Sequence, residues 1–190
     1  MAFQQKRFSK VIMILFLIMI VLGFSVPLFN LGGRSPQESP AAEPRLCQAD
    51  SDCYLICDDT PMEVLCSQNL CQQNDCEEAA VFPYAASPLP FDLTIKVKGK
   101  EINLINRSNA KDLFVTFNDE KIEVHSLEFP LALILEKVNI GLTSECLFLG
   151  KEKYCNDENK TVRLEVNGEE SFRYGEYVPK EGDKIEIRYG

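Results

Sequence analysis

The chain has 190 residues and a formal net charge of -9. This charge argues against nucleic-acid binding, because phosphate contacts need clustered Lys and Arg. Once an apolar N-terminal run and two Pro-rich stretches are set aside, residues 91–190 are the part of the chain able to bury a sizeable core by itself.

The N-terminus combines a basic start with an uncharged run. Lys6, Arg7 and Lys10 lie in residues 1–10, and residues 11–32 are uncharged and mainly apolar. About 20 such residues cross a bilayer as a helix, and the positive-inside rule places the basic end in the cytoplasm. We therefore predict a signal anchor, with one transmembrane helix in the cell membrane and the bulk of the chain extracytoplasmic. A cleaved signal peptide is the alternative, and it exports the same residues.

Two stretches read as connecting segments. Residues 33–46 are rich in Pro, Gly, Ser and Ala, which predicts an extended stalk. Residues 77–90 contain Pro83, Pro88 and Pro90, which predicts a second linker. The segments on either side of this linker are therefore expected to be separate modules.

Residues 47–76 form a small cysteine-rich module. Six cysteines lie here, at Cys47, Cys53, Cys57, Cys66, Cys71 and Cys76. An even number of cysteines in an exported chain predicts disulfides, although their connectivity stays open. Two further cysteines, Cys146 and Cys155, are predicted to pair across a hairpin turn. The module is also acidic, since no Lys or Arg occurs between Cys47 and Glu78.

Other uses of the module are conceivable but poorly matched by the pattern. Zinc sites favour Cys pairs such as Cys66-x4-Cys71, yet the module has no His and the exterior oxidises thiols. A redox-active C-x-x-C pair is absent from the chain. The Asp residues show no EF-hand spacing for calcium. No cofactor or metal is predicted.

Residues 91–190 show the alternation of apolar and polar residues that predicts strands. Five segments carry it clearly: 91–97, 101–104, 121–124, 161–166 and 184–189. Two less regular runs, 113–117 and 146–149, are further candidates. Regular alternation gives the sheet one buried, dry face and one solvent-exposed, wet face, which favours a mostly antiparallel sheet. Turns are predicted at 98–100 and 118–120.

A helix is predicted to cover the dry face of this sheet. Residues 127–138 are largely apolar, with Ser126 as a possible N-cap, Pro130 in the first turn and Gly141 as a terminator. The predicted fold class is therefore α+β, with a transmembrane helix, a disulfide-rich module and a β-grasp-like domain. A small open barrel or sandwich is the alternative.

The C-terminal segment carries a resemblance. It contains Val166-Asn167-Gly168, Tyr177-Val178 and Gly182-Asp183 before an alternating strand. This pattern resembles the ending of uncharacterised, membrane-anchored archaeal and bacterial proteins, which implies the same location and architecture. The tail also resembles the end of the S4 RNA-binding module. That module would need a basic helical face upstream, whereas 127–138 offers only Lys137.

No catalytic motif is recognisable. The single His, His125, falls on the predicted wet face, and no nucleophile or phosphate-binding pattern accompanies it. Two sequons, at Asn106 and Asn159, are possible N-glycosylation sites. The sequence therefore predicts a non-enzymatic envelope component that binds a protein or glycan. The alternative is an extracytoplasmic thiol–disulfide or metal-handling protein that acts through its clustered cysteines.

Overall fold

The computed structural model describes residues 43–118 and 121–190. The predicted transmembrane segment, 11–32, and residues 33–42 of the predicted stalk lie outside this part of the chain. No helix in the described ranges has the length and apolar character needed to span a bilayer.

The cysteine-rich module is built from two short hairpins. Strand β1 (Leu55–Cys57) pairs with β2 (Thr60–Met62), and β3 (Cys66–Ser67) pairs with β4 (Leu70–Cys71). Each hairpin turns through two residues of positive φ, which is the type I′ geometry that matches the twist of paired strands. The expected disulfide-rich character is present, because the described residues contain four disulfides.

The rest of the described chain contains ten further strands. They are β5 (Tyr84–Val97), β6 (Lys100–Glu101), β7 (Val115–Phe117), β8 (Ile122–Ser126), β9 (Ile140–Leu142), β10 (Cys146–Leu149), β11 (Glu152–Cys155), β12 (Val162–Val166), β13 (Glu169–Glu170) and β14 (Lys184–Tyr189). The large sheet has the order β13-β12-β14-β5-β8-β7, with β6 paired to β5. A small sheet has the order β11-β10-β9. Strands β5 and β14 pair in parallel, and their neighbours are antiparallel.

The predicted α+β fold class is wrong, because the described chain is mostly β with one short α-helix. Helix α1 (Leu131–Glu136) has six residues, half the predicted span of 127–138. Its N-cap is Pro130, whereas Ser126 ends β8. The chain leaves the helix through Asn139, whose φ is 55°, and Gly141 lies in β9. So short a helix cannot cover the sheet as a β-grasp helix would.

The small sheet supplies apolar cover that the helix does not. One core cluster contains residues of β5, β12 and β14 from the large sheet and residues of β9 and β10 from the small sheet. Among its members are Phe91, Ile95, Leu164, Ile187, Ile140 and Leu147, all at most 4% exposed. Leu131, Ile134 and Leu135 of α1 join the same core. Both sheets and the helix therefore bury their apolar residues together.

Strand β5 begins earlier than predicted. Residues 84–90, expected to belong to a linker, form its first half and pair with β8. The register shifts between Tyr84 and Leu89, next to Pro88 and Pro90. Proline lacks an N–H for the ladder, so it occurs in strands at such irregularities. The module and the β domain, which we define as residues 84–190, are joined by residues 77–83 and belong to one compact unit, Ala42–Gly190.

Candidate binding surface

The module disulfides have a regular interleaved order. The first cysteine pairs with the fourth, the second with the fifth and the third with the sixth: Cys47–Cys66, Cys53–Cys71 and Cys57–Cys76. Closing a loop of roughly 20 residues stabilises a fold by about 3 kcal/mol in the chain-entropy account. These bonds supply the stability that the module's few apolar residues do not.

The fourth disulfide joins Cys146 to Cys155, the pair predicted from sequence. The two residues lie directly opposite each other in β10 and β11. Their strands are connected through Gly150, which has a φ of 66°. This bond ties the open end of the hairpin in the small sheet.

The sulfurs of Cys47, Cys53 and Cys71 lie within 4.8 Å of one another. This is the single group of potential metal ligands that the described residues bring so close together. Each of the three sulfurs is part of a disulfide, and metal binding requires a thiolate. The arrangement is therefore two neighbouring disulfides in a packed interior and not a donor set for zinc.

A buried carboxylate attaches the module to the β domain. Asp50 is 1% exposed. Its Oδ1 accepts hydrogen bonds from Lys137 Nζ at 2.6 Å and from Cys66 N at 2.9 Å. Its Oδ2 accepts from the backbone N–H groups of Leu113, at 2.9 Å, and Phe114, at 3.1 Å. One side chain thus joins three separate segments of the chain. We call this set of contacts around Asp50 and Lys137 the joint.

Neighbouring charges complete this joint. Lys137 also donates to Cys66 O at 2.8 Å and lies 3.5 Å from Asp112. Burial raises the pKa of Asp112, although the nearby ammonium of Lys137 opposes that rise. Glu136 accepts hydrogen bonds from Ser67 Oγ at 2.9 Å and from the backbone N–H of Gln68 at 2.7 Å. The end of α1 therefore holds the β3–β4 hairpin in place.

The β1–β2 hairpin turns one face toward the module core and one face outward. Facing residues in β1 and β2 are Leu55 with Met62 and Ile56 with Pro61. Leu55 packs against the disulfide core. Ile56, on the opposite face, is 64% exposed, and Tyr54, two residues before it, is 60% exposed. We call Tyr54, Ile56 and Pro61 the outer face.

Three carboxylates follow the strands of the outer face in the chain. Asp58 and Asp59 form the turn between β1 and β2 and are exposed, and Glu63 follows β2. Within the described residues, no Lys or Arg nitrogen lies within 4.0 Å of these three carboxylates. The face is therefore an apolar centre with carboxylates near it that make no ion pair in the described part of the chain, and the guanidinium of Arg45 also reaches it, donating to Tyr54 O at 3.0 Å.

Apart from the outer face, the structure has a polar groove of about 860 Å³ that crosses the large sheet. Glu186 in this groove lies 2.7 Å from Arg188 and 2.8 Å from Lys96. These contacts, with Arg188 first and Lys96 second, lower the pKa of Glu186 to about 2. Within the described residues, four other charged residues of the lining make no ion pair: Asp92, Glu101, Lys121 and Lys184. The groove is therefore a polar surface of mixed charge, whereas the outer face has an apolar centre.

The C-terminal residues that carry the resemblance form a hydrogen-bonded cluster. Asp183 is 6% exposed and accepts bonds from Tyr177 OH at 2.6 Å, Lys180 N at 2.8 Å and Asn167 Nδ2 at 2.9 Å. Burial opposes ionisation of Asp183, but these bonds outweigh it and hold its pKa below 3.8. Burial and Asp183 together raise the pKa of Tyr177 to about 12. The pattern thus joins the β12–β13 turn to the start of β14.

His125 is not the solvated residue that the alternation predicted. Its ring stacks on Tyr84 with centroids 5.2 Å apart, and Nδ1 lies 3.1 Å from Ala85 O. Both partners belong to the part of β5 that was expected to be a linker. The environment is that of a packed residue, and no nucleophile contacts the ring within the described residues.

Both sequons are accessible. Asn106 lies in a short 3-10 turn, Ile105–Arg107, and Asn159 lies in the loop before β12, and both are exposed. Their modification stays a prediction.

No protein-family model, no curated protein and no solved structure matches this chain. The resemblance of the C-terminal segment to membrane-anchored prokaryotic proteins therefore stays a prediction. Functional argument has to come from the chain's own surface.

Sequence reasoning missed the outer face, because it did not separate Tyr54 and Ile56 from the other apolar residues of the module. A signal for their exposure was present. The short apolar run Tyr54-Leu55-Ile56-Cys57 before Asp58-Asp59 fits a strand and turn, and successive side chains of a strand point to opposite faces. Which face is buried was decided by the cysteine pairing.

Proposed function

We propose that this protein is an extracytoplasmic component held at the cell membrane by its N-terminal segment, and that it acts by binding another protein and not by catalysis. The observation that carries this proposal is the outer face of the β1–β2 hairpin. Ile56 and Tyr54 are more than half exposed on a hairpin attached to the module by Cys57–Cys76. Large apolar side chains grouped at a surface typically mark an interaction site.

Rigidity supports the same proposal. Binding costs conformational entropy when a loop has to be ordered, and a cross-linked hairpin has already lost most of that freedom. The Asp50–Lys137 joint further holds the module against the β domain. A glycan site would favour several aromatic rings and directed polar groups, whereas the outer face contains one aromatic residue. A protein partner is therefore the better match.

The cysteines support the extracytoplasmic address. Within the described residues there is no free cysteine, and disulfides of this kind persist in oxidising compartments. Residues 11–32 and the preceding basic residues would target the chain there. Carbonate extraction of membranes with protease protection tests this address. Full-length chain in the soluble cytoplasmic fraction would contradict it.

Site-specific photo-cross-linking tests the binding function. A photoreactive amino acid is placed at position 56 of the full chain in its native cells, with position 127 as the matched control. Leu127 is 69% exposed but lies on the β domain, outside the outer face. We expect a discrete protein adduct from position 56 and none from position 127. Equal adducts from both positions, or none from position 56, would argue against this function.

A second candidate function rests on one observation. Cys76 is exposed and Cys57 is half-buried, whereas the cysteines of the other two module disulfides are at most 7% exposed. Accessible disulfides exchange with external thiols more readily than buried ones. If the protein handles disulfides, Cys57–Cys76 is the reactive pair. Trapping of a mixed disulfide by the Cys57→Ser variant, through Cys76, would favour this candidate.

A further inference from the structure

We propose that the outer face docks onto a basic protein surface, in which an apolar patch is flanked by Lys or Arg. This inference rests on the proposed function, since it names the chemistry of the partner for the same face. The argument has three parts: the shape of the face, the charge around it and the exclusion of other partners.

The face has the layout of a protein interface. Ile56 and Pro61 are opposite neighbours, and Tyr54, two residues before Ile56, is also exposed. Tyrosine is frequent among residues that dominate binding energy, because it buries a large area with few rotatable bonds. Polar groups at the edge, here Asp58, Asp59 and Glu63, match the polar rim of such interfaces.

Charge selects the partner. Eight acids and no Lys or Arg lie between Cys47 and Glu78. Among the described residues, the ion pairs include only one of these acids, Asp50. The other seven make no ion pair in the part of the chain that the structure describes, although Lys111 lies near enough to Asp52 to contribute to lowering the pKa of Asp52 after the backbone N–H groups of Gln48 and Ala49. Complementary charge speeds encounter and rejects partners of the same sign, so a basic surface is favoured over a neutral or acidic one.

Two other partners fit less well. An anionic lipid surface attracts Lys and Arg and repels carboxylates, so the acids would oppose insertion of Ile56 and Tyr54. A bound cation needs several converging oxygens. In the described residues, a single group of three or more potential metal ligands has its ligand atoms within 4.8 Å of one another. That group consists of disulfide sulfurs and includes none of these acids. The acids are therefore spread as a rim and do not converge on an ion.

The experiment selects displayed random peptides on the purified full-length protein in detergent. Three variants accompany the wild type. Tyr54→Ser with Ile56→Ser removes the apolar centre. Asp58→Asn, Asp59→Asn and Glu63→Gln together neutralise the rim. The matched control neutralises Glu169, Glu170 and Glu181, which are exposed on the β domain and make no ion pair within the described residues. Mass spectrometry checks that every variant keeps four disulfides.

We expect enriched peptides to combine apolar residues with Lys or Arg. Their binding should fall about tenfold between about 0.05 and 0.5 M salt, because exposed charges are screened. Neutralising the rim should weaken binding about tenfold, and removing the apolar centre should abolish it. The control should bind like the wild type.

The contrary outcomes separate the two proposals. Peptides without basic residues that still require Tyr54 and Ile56 would overturn the partner chemistry and leave the binding face intact. If the enriched peptides bind both variants as well as they bind the wild type, or if no peptide is enriched, the outer face is not the binding site. Vesicles with and without anionic lipid form a parallel arm. Stronger binding to the anionic vesicles than to any peptide would replace the protein partner with a membrane.

Discussion

Replacing Asp50 by Asn tests whether the buried joint holds the module to the β domain. The substitution keeps the size of the side chain and removes its charge. Asp50 accepts four hydrogen bonds, from Lys137 Nζ and from the backbone N–H groups of Cys66, Leu113 and Phe114. Asn has one acceptor oxygen, and its amide N–H₂ would face at least one of these donors. The ammonium of Lys137 also loses its closest counter-charge.

The magnitude follows from these contacts. Removing one partner of a buried ion pair costs about 3–5 kcal/mol, and a backbone N–H left unsatisfied adds about 1–3 kcal/mol. Asp112 and Cys66 O stay near Lys137 and offset part of that cost. We therefore expect Asp50→Asn to lower the free energy of unfolding by about 4 kcal/mol. With a urea m-value of about 2 kcal/mol per molar, the midpoint should fall by about 2 M.

The assay is urea unfolding of the oxidised full-length chain, followed by tyrosine fluorescence because the chain has six Tyr and no Trp. Asp59→Asn is the matched control, since Asp59 is exposed in a turn where Asn is equally suitable. The control should change stability by less than about 0.5 kcal/mol. If Asp50→Asn behaves like the control, Asp50 does not hold the joint. In the double variant with Lys137→Met, the loss should be smaller than the sum of the single losses.

Three further predictions concern other parts of the molecule. Contacts with Arg188 and Lys96 lower the pKa of Glu186 from 4.5 to about 2, so the stability that Glu186 contributes is present above pH 4.5 and is lost as the pH falls through 2. Glu186→Gln should therefore flatten the decline in melting temperature between pH 4.5 and pH 2. An unchanged pH profile would refute the pairing. Tyr177→Phe removes the hydroxyl that donates to Asp183 at 2.6 Å, so it should lower the free energy of unfolding in urea by about 1.5 kcal/mol. Tyr54→Phe, at an exposed position, should leave the free energy of unfolding almost unchanged. Equal losses from the two variants would contradict the C-terminal cluster. Limited reduction followed by alkylation and mass spectrometry should label Cys57 and Cys76 first, because the other module cysteines are buried; simultaneous opening of all three module disulfides would argue against this order.

Local pattern was sufficient for much of the β structure. The alternation in 91–97 and 184–189 predicted strands that the structure contains, because period-two burial is set by the backbone itself. Positive-φ turns were recognisable at Lys98-Gly99 and Asn167-Gly168 for a similar reason. The run 127–138 misled, since apolar content alone does not separate a helix from a buried irregular segment.

Long-range contacts decided the rest. Residues 84–90 look like a linker in sequence, and they became a strand because β8 offered its edge. Asp50 looks like one of eight acids in an acidic stretch, and only its contacts with Leu113, Phe114 and Lys137, more than 60 residues away, reveal a buried joint.

The cysteine-rich module shows the same division. Counting the cysteines predicted disulfides, because an even set in an exported chain is enough for that inference. The interleaved pairing was not predictable, since six cysteines allow 15 pairings and the tertiary structure decides which of them forms. That pairing turns Leu55 inward and leaves Tyr54 and Ile56 in solvent. The sequence determined that the module is cross-linked by disulfides, and only the folded chain determined which of its residues a partner can contact.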